Sequence, residues 1–206
     1  MATPRPRGGL TDKRRAILTG ALTVFARDGY TRASVDAISA QAGVSTRTIY
    51  NHFQDKADLF RNVIQESASR VAAAQIAIIE RHLHRISDLE ADLVEFAQAW
   101  LTPMPDYADH FALVRQVDAE AGHIPQAAVD AWQEAGPLRV RRELARRLQG
   151  FADRGLLRIE DAERAALHFS LLISGANPSY RGEVRRDTAE TVRAGVHAFL
   201  YGHLPR

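Results

Sequence analysis

The side chains with the clearest chemistry lie in one short polar run: Thr46, Arg47, Thr48, Tyr50, Asn51 and His52. An arginine can donate two hydrogen bonds to O6 and N7 of guanine, and an asparagine can pair with N6 and N7 of adenine. Threonine offers a hydroxyl and a methyl group, and tyrosine can reach a phosphate. The run therefore predicts base recognition in a DNA major groove. The alternative is an ordinary helical corner with a solvated polar face.

Two short helices around a glycine corner would position this run. Ser34 is a suitable N-cap for the first helix, and Gly43 follows its last apolar residue, where a left-handed backbone allows a sharp turn. Ser45 can cap the second helix, on which Ile49 and Phe53 point to the same side. The polar side chains then project away from the core, which is the layout of a helix-turn-helix.

Three segments of this region match a known pattern: Ala42-Gly-Val-Ser45, Ile49-Tyr50-Asn-His52-Phe53 and Lys56-Ala-Asp-Leu59. They resemble the DNA-binding domain of TetR-family transcriptional regulators. The resemblance runs from about Leu10 to Phe60.

The resemblance also implies roles for individual residues. The residues that it implies would face bases are Thr46, Arg47, Thr48 and Asn51. Those that it implies would lie against phosphates are Ser34, Tyr50, His52 and Lys56. Asp36 departs from this picture, because a carboxylate near that helix terminus would repel the DNA backbone.

Composition narrows the class of protein. The chain has 206 residues, of which 46% are hydrophobic and 25% charged, as in globular proteins. It has no cysteine, which excludes disulfides and thiolate chemistry. The first thirty residues lack a signal-peptide core, and no apolar run approaches the roughly 20 residues that span a bilayer. We expect a cytoplasmic protein that does not contact a membrane.

Charge is distributed unevenly along the chain. Residues 1–60 hold nine Lys and Arg against five Asp and Glu, whereas residues 61–206 hold 18 against 20. The basic excess falls where the helix-turn-helix falls, as binding to a polyanion requires. A solvated basic surface is the alternative explanation.

Hydrophobic periodicity of about 3.6 residues predicts an all-α fold with nine or ten helices. A helix capped by Thr11 and ended by Gly29 would complete a three-helix domain over residues 11–60. Another helix from Lys56 to about Glu80 would link this domain to a larger helical domain, residues 61–206. Residues 1–10 should form a flexible basic arm. Its Arg5 and Arg7 either enter a minor groove or belong to a plain mobile terminus.

The second domain carries a further resemblance. Its segments His110-Phe-Ala-Leu-Val-Arg115, Asp118-Ala-Glu-Ala121 and Gly136-Pro-Leu-Arg-Val-Arg141 resemble the AefR-like C-terminal domain of one branch of the same family. Members of the family bind a small effector in this domain and form dimers through their last long helices. The resemblance therefore implies an effector-binding and dimerisation domain.

Apolar surface in this domain predicts a homodimer. Residues 160–175 are apolar nearly all round after the first turn. A second apolar stripe is formed by Leu144, Leu148 and Phe151. The predicted dimerisation residues are Leu144, Leu148, Phe151, Leu167 and Leu171. Two recognition helices held about 34–36 Å apart would read a palindromic operator. The alternative is that these helices are central in a monomer core.

Aromatic and methionine side chains in the same domain predict an effector cavity. The candidates are Phe96, Trp100, Met104, Tyr107, Phe111, Trp132 and Phe169. They suit a small hydrophobic or aromatic molecule. The alternative is that aromatics at helical spacing simply form the core.

Catalysis finds little support in the sequence. It has no Gly-rich phosphate loop, no Gly-x-Ser-x-Gly and no His-Glu-x-x-His. The spacing of His110, His123, His168 and His197 matches no metal site. We predict no catalytic residue, no metal and no cofactor. The prediction is a DNA-binding repressor released from its operator by an effector; the alternatives are an activator on the same fold, a helical protein-interaction module or, third, an enzyme.

Overall fold

A computed structural model describes residues 8–174 and 188–204 of the chain. This part consists of helices and connections and contains no strand, which confirms the predicted all-α fold. Arg5 and Arg7 of the predicted flexible arm lie outside the described residues. The first helix begins at Gly8, three residues before the predicted cap at Thr11.

Ten α-helices and one short 3-10 helix make up the described part of the chain. Their bounds are α1 Gly8–Arg32, α2 Val35–Ala42, α3 Thr46–Tyr50, α4 Lys56–Leu83, α5 Leu89–Leu101, the 3-10 helix Pro105–Tyr107, α6 Ala108–Ala119, α7 Gln126–Ala135, α8 Pro137–Asp153, α9 Ala162–Ser174 and α10 Thr188–His203. Gly29 interrupts α1 with φ 78° and ψ 176°, so the regular helix stops where the sequence predicted.

The chain forms two compact units whose division differs from the expected boundary after residue 60. The first unit contains the described residues up to Val71 together with Met104–Pro137. The second contains Ala72–Pro103 and the described residues from Leu138 onward. The difference arises because α6 packs along α1, which brings α6 and α7 into the same unit as the helix-turn-helix.

The core of the first unit is built on α1. Ile17, Ala21 and Phe25 of α1 are fully buried and pack with apolar side chains of α2, α3 and α4. Leu113 and Val117 of α6 complete this core. A three-helix domain of about 50 residues buries little surface by itself, so the additional helix enlarges its core.

The core of the second unit lies among α5, α8, α9, α10 and the C-terminal part of α4. Phe96, Phe169 and Phe199 are its largest buried side chains. The ring centroids of Phe96 and Phe169 are 5.8 Å apart, and those of Phe169 and Phe199 are 5.1 Å apart. The aromatic contacts therefore join α5, α9 and α10 around one cluster.

A buried polar pair lies inside the first unit. The Ser67 hydroxyl donates to the Ile64 carbonyl at 3.1 Å and lies 3.0 Å from Nδ1 of His110. Because the hydroxyl proton is used on the carbonyl, Nδ1 of His110 must carry the proton of this second hydrogen bond. Burial lowers the pKa of the His110 imidazole to about 4, so the ring is neutral near pH 7.

This buried histidine should make stability fall in mild acid. The unfolded chain binds a proton at His110 below about pH 6.5, whereas the folded chain resists protonation down to about pH 4. The free energy of unfolding is therefore unaffected above about pH 6.5 and decreases as the pH falls towards about 4. At about pH 4.5 the decrease is roughly 2 kcal/mol. Urea unfolding at about pH 7 and about pH 4.5 measures the loss. His110→Gln should lose roughly 2 kcal/mol less than the wild type between these two pH values. An equal loss of unfolding free energy in both proteins would show that His110 is not the cause.

Candidate nucleic-acid interface

Side-chain caps set the two helices of the corner. Oγ of Ser34 accepts from the Ala37 amide at 3.1 Å, and Oγ of Ser45 accepts from the Thr48 amide at 3.1 Å. Between them Gly43 has a left-handed backbone with φ 65°. The corner thus has the local geometry that its sequence predicted.

The recognition helix α3 exposes its polar side. Ile49 and Phe53 are buried and fix the helix to the core. On the opposite side Arg47, Asn51 and Tyr50 are exposed, with Tyr50 at 54%. The structure therefore exposes two of the four residues predicted to contact bases, Arg47 and Asn51, at the surface of the first unit.

The edges of α3 are less open than its centre. Thr46, Thr48 and His52 are half-buried. Oγ1 of Thr48 lies 2.9 Å from Oγ of Ser45, so this hydroxyl belongs to the helix cap and the Thr48 methyl group is left for outside contacts. The helix is also shorter than expected. It ends at Tyr50 because the His52 amide bonds the Ile49 carbonyl at 2.9 Å, which tightens the last turn.

The start of α4 is held by a reciprocal cap. The Asp58 amide donates to Oδ1 of Asp55 at 2.8 Å, and Oδ2 of Asp58 accepts from the Gln54 amide at 3.1 Å. Arg61 donates to Oδ1 of Asp58 at 2.6 Å, and this bond contributes most to lowering the pKa of Asp58. These bonds fix the helix terminus that carries Lys56.

The ammonium group of Lys56 is held by α1. Nζ of Lys56 donates to the Thr31 carbonyl at 3.2 Å and lies 4.8 Å from the centre of the Tyr30 ring. Burial lowers the pKa of Lys56, while the nearby Glu120 carboxylate opposes that shift. The sequence did not indicate Tyr30, Thr31 or Glu120 as part of this site. Thr31 and Glu120 are 89 residues apart, so no local pattern connects them.

The predicted effector residues fall into two groups. Phe96, Trp100 and Phe169 belong to the second unit, where Phe96 and Phe169 have no exposed surface and fill its core. For these two the core alternative holds. The remaining four, all half-buried in the first unit, are Met104, Tyr107, Phe111 and Trp132. Trp132 packs against the core of the first unit, and its indole Nε1 is buried and has no hydrogen-bond partner among the described residues.

The predicted dimerisation residues also divide. Leu144, Leu148 and Phe151 of α8 are at most 3% exposed and point into the core of the second unit, so they are corrected to core residues. The sequence pattern showed that this face is apolar but could not show what covers it. Leu167 and Leu171 of α9 are 42% and 63% exposed.

One apolar face of the second unit remains open. The exposed residues of α9 and α10 include Leu171, Leu172 and Tyr201. A groove of about 380 Å³ runs between the two helices, and it is lined by His168, Leu171, Leu172, Ala198, Phe199, Gly202 and His203. Within residues 8–174 and 188–204, no side chain covers Leu171, Leu172 or Tyr201.

Two family models match the chain. Residues 17–63 match the model described as bacterial regulatory proteins of the TetR family. Residues 91–201, more than half of the chain, match the C-terminal domain of AefR-like transcriptional repressors. The chain belongs to the TetR family.

Solved TetR-family structures share the fold over nearly the whole chain. A TetR-family structure from Mesorhizobium loti MAFF303099 is 28% identical with a TM-score of 0.80, and the match covers 98% of this chain and 100% of that one. The flavonoid-responsive regulator FrrA is 28% identical with a TM-score of 0.68 over 94% of this chain and 98% of that one. A regulator from Saccharomonospora viridis in complex with choline is 25% identical, with a TM-score of 0.67 over 95% of this chain and 100% of that one.

Curated relatives match over about a third of the chain. The transcriptional repressor Rv1474c of Mycobacterium tuberculosis is 41% identical over 64 residues, which are 31% of this chain and 34% of the relative. The repressor AcnR of Corynebacterium glutamicum is 40% identical over 62 residues, 30% of this chain and 33% of the relative. The chain thus matches about a third of the length of these relatives. The chain is a DNA-binding transcriptional regulator with a TetR-family fold.

The TetR-family assignment also decides the question of catalysis. The matched families and folds are those of transcriptional regulators, so the chain is not an enzyme, as predicted. His110 is hydrogen-bonded to Ser67, and among residues 8–174 and 188–204 no three His, Asp or Glu side chains form a group that could hold a metal ion.

Across the same residues, no helix combines the length and the apolar character that crossing a membrane requires.

Proposed function

We propose that the chain is a repressor that binds a palindromic operator as a homodimer and leaves it when a small effector binds. The observation that carries this proposal is the exposed side of α3, where Arg47 and Asn51 project beside Tyr50. Residues 11–60 would read DNA in the cytoplasm, and residues 61–206 would provide dimerisation and effector binding.

The exposed polar groups fit two kinds of DNA contact. The residues proposed to contact bases are Thr46, Arg47, Thr48 and Asn51, with Thr48 using its methyl group. The residues proposed to contact phosphates are Ser34, Tyr50, His52 and Lys56. The Ser34 oxygen accepts its cap bond from Ala37, so its hydroxyl proton can still be donated to a phosphate.

Arg47→Ala and Lys56→Ala should weaken DNA binding in different ways. Arg47→Ala removes a base contact, so it should reduce the binding free energy for the operator by about 1–3 kcal/mol and that for random duplex only a little. Lys56→Ala should weaken both duplexes alike, because phosphates carry no sequence information. Footprinting next to the chain's own gene defines the operator, and fluorescence anisotropy measures the affinities.

Arg70→Ala is the matched control, because Arg70 is an exposed arginine of α4 that lies outside the corner. It should leave both affinities near those of the wild type. Equal losses on operator and random duplex for Arg47→Ala would show that Arg47 does not read a base.

The open face of α9 and α10 supports the homodimer. The exposed apolar side chains of α9 and α10 include Leu167, Leu171 and Tyr201. A homodimer is typical of the TetR family. A second copy of the same face would remove this surface from water, which favours association by about 25 cal/mol for each Å² of apolar area buried. A twofold pair would present two copies of α3 to one duplex.

Leu171→Glu should convert the dimer to a monomer, because a carboxylate would be buried without a partner in the interface. Analytical ultracentrifugation measures the mass, and operator binding should fall together with the dimer fraction. Ala77→Glu adds the same charge to an exposed position of α4 and is the control. A Leu171→Glu protein that sediments and binds like Ala77→Glu would exclude this face as the interface.

The effector that fits best is a small aromatic or hydrophobic molecule with a hydrogen-bond acceptor. Half-buried Met104, Tyr107, Phe111 and Trp132 supply apolar surface in the first unit. The unpartnered indole N–H of Trp132 can donate to the acceptor. Two structural neighbours are named for small molecules: one is flavonoid-responsive, and the other is in complex with choline.

A flavonoid should bind the protein and cause it to leave the operator. Choline, which is cationic and offers little apolar surface, should neither bind the protein nor release it from the operator. Trp132→Phe removes only the indole donor and should weaken flavonoid binding by about five- to tenfold, the value of one hydrogen bond. Calorimetry measures binding, and anisotropy of labelled operator measures release. Release by choline, or flavonoid binding that is unchanged in Trp132→Phe, would contradict the assignment.

A further inference from the structure

A carboxylate outside the helix-turn-helix holds the backbone that contacts Lys56. Glu120 is the residue that follows α6, and its Oε2 accepts two hydrogen bonds from Thr31, one from the amide at 2.9 Å and one from the hydroxyl at 3.0 Å. The carbonyl of the same threonine accepts from Nζ of Lys56 at 3.2 Å. We name these three residues the Glu120–Thr31–Lys56 link.

The backbone beside this link is shaped to admit the carboxylate. Gly29 has φ 78° and ψ 176°, a conformation that is essentially restricted to glycine. A Cβ atom at Gly29 would collide with Oε1 of Glu120 and would lie 3.2 Å from Oε1 of Gln116. The missing side chain therefore lets α6 bring its last carboxylate directly against the end of α1.

The link also sets the surroundings of the Lys56 charge. One N–H of the ammonium group is directed to the Thr31 carbonyl, and the Tyr30 ring covers one side of the group. The ammonium has three N–H groups, so two remain for an anion. Without this support, the four-carbon side chain of a lysine would move among many rotamers, at a cost in entropy when it binds.

We propose that Glu120 is a positioning residue for DNA binding, which holds Thr31 so that its carbonyl directs the Lys56 ammonium to the phosphate backbone. The inference rests on the proposed phosphate contact of Lys56 and adds a residue 60 positions beyond the helix-turn-helix. Glu120 does not itself touch DNA in this proposal, since its negative charge would repel phosphate.

A purely structural role for Glu120 would have a different signature. The other end of α6 is also tied to α1, through the hydroxyl of Thr23, which donates to Oδ2 of Asp109 at 3.0 Å. Asp109→Ala removes one carboxylate and its single hydrogen bond to α1, whereas Glu120→Ala removes one carboxylate and two hydrogen bonds to α1. Asp109→Ala leaves Lys56 supported. It is therefore the matched control for lost charge and lost attachment.

The experiment measures binding to a mixed-sequence duplex of about 30 base pairs, which is long enough to contact both subunits of a homodimer. Affinity is followed from about 50 to about 200 mM salt, where each phosphate contact contributes about 0.9 to the slope of log K against log salt. The proteins are the full-length wild type, Glu120→Ala, Glu120→Gln, Asp109→Ala, Lys56→Ala and the double variant Glu120→Ala/Lys56→Ala. Thermal unfolding of each shows that it is folded.

We expect Glu120→Ala to bind about five- to tenfold more weakly. Because a homodimer would place two copies of Lys56 on the duplex, Glu120→Ala should lose about 1.8 of the slope, as Lys56→Ala does. Glu120→Gln keeps an acceptor for Thr31 and should bind within about twofold of the wild type. In the Lys56→Ala background, Glu120→Ala should have no further effect, since a residue that acts through Lys56 has nothing left to position.

Three results would overturn the inference. They are an unchanged slope in Glu120→Ala, equal losses with and without Lys56, and a loss in Asp109→Ala that matches Glu120→Ala. If Lys56→Ala itself has the wild-type slope, the proposed phosphate contact fails and the inference fails with it. If Lys56→Ala lowers the slope and Glu120→Ala does not, the inference alone fails.

Discussion

The apolar face of α1 is the constraint on which the first unit depends. Ile17, Ala21 and Phe25 are fully buried there, and α2 approaches the same helix so closely that a Cβ at Gly20 would lie 2.9 Å from the Ala42 amide nitrogen. A domain of about 50 residues has too little interior to be stable by a wide margin. Packing of α6 on the same helix enlarges the core, so the DNA reader and α6 share one hydrophobic surface.

The recognition helix depends on this core for its existence. A helix of five residues is far too short to persist alone, because nucleation costs more than its few hydrogen bonds return. Buried Ile49 and Phe53 hold it, and the caps at Ser45 and Asp55 fix the turns at either end. Rigidity therefore comes from outside α3, so the backbone that carries the exposed Arg47 is already ordered.

Local features were predictable from the sequence, whereas long-range ones were not. The caps at Ser34 and Ser45 and the left-handed Gly43 involve atoms a few residues apart, so residue types alone indicated them. The face of α8 that carries Leu144 was correctly seen as apolar, but periodicity cannot distinguish burial within one chain from burial between two. The bond from Thr31 to Glu120 joins residues 89 apart, and no local pattern marks it.

The strength of the Glu120–Thr31–Lys56 link has a bearing on how an effector could act. Hydrogen bonds to a charged acceptor contribute about 1.5–3 kcal/mol each, and coupling free energies between effector and DNA are typically about 1–3 kcal/mol. Loss of one of the two hydrogen bonds from Thr31 to Glu120 would thus match the size of such a coupling free energy, without any unfolding of the core. An effector that favours a shifted position of α6 would weaken the support of Lys56 and so lower the affinity for DNA. By reciprocity, bound DNA would lower the affinity for the effector by the same factor.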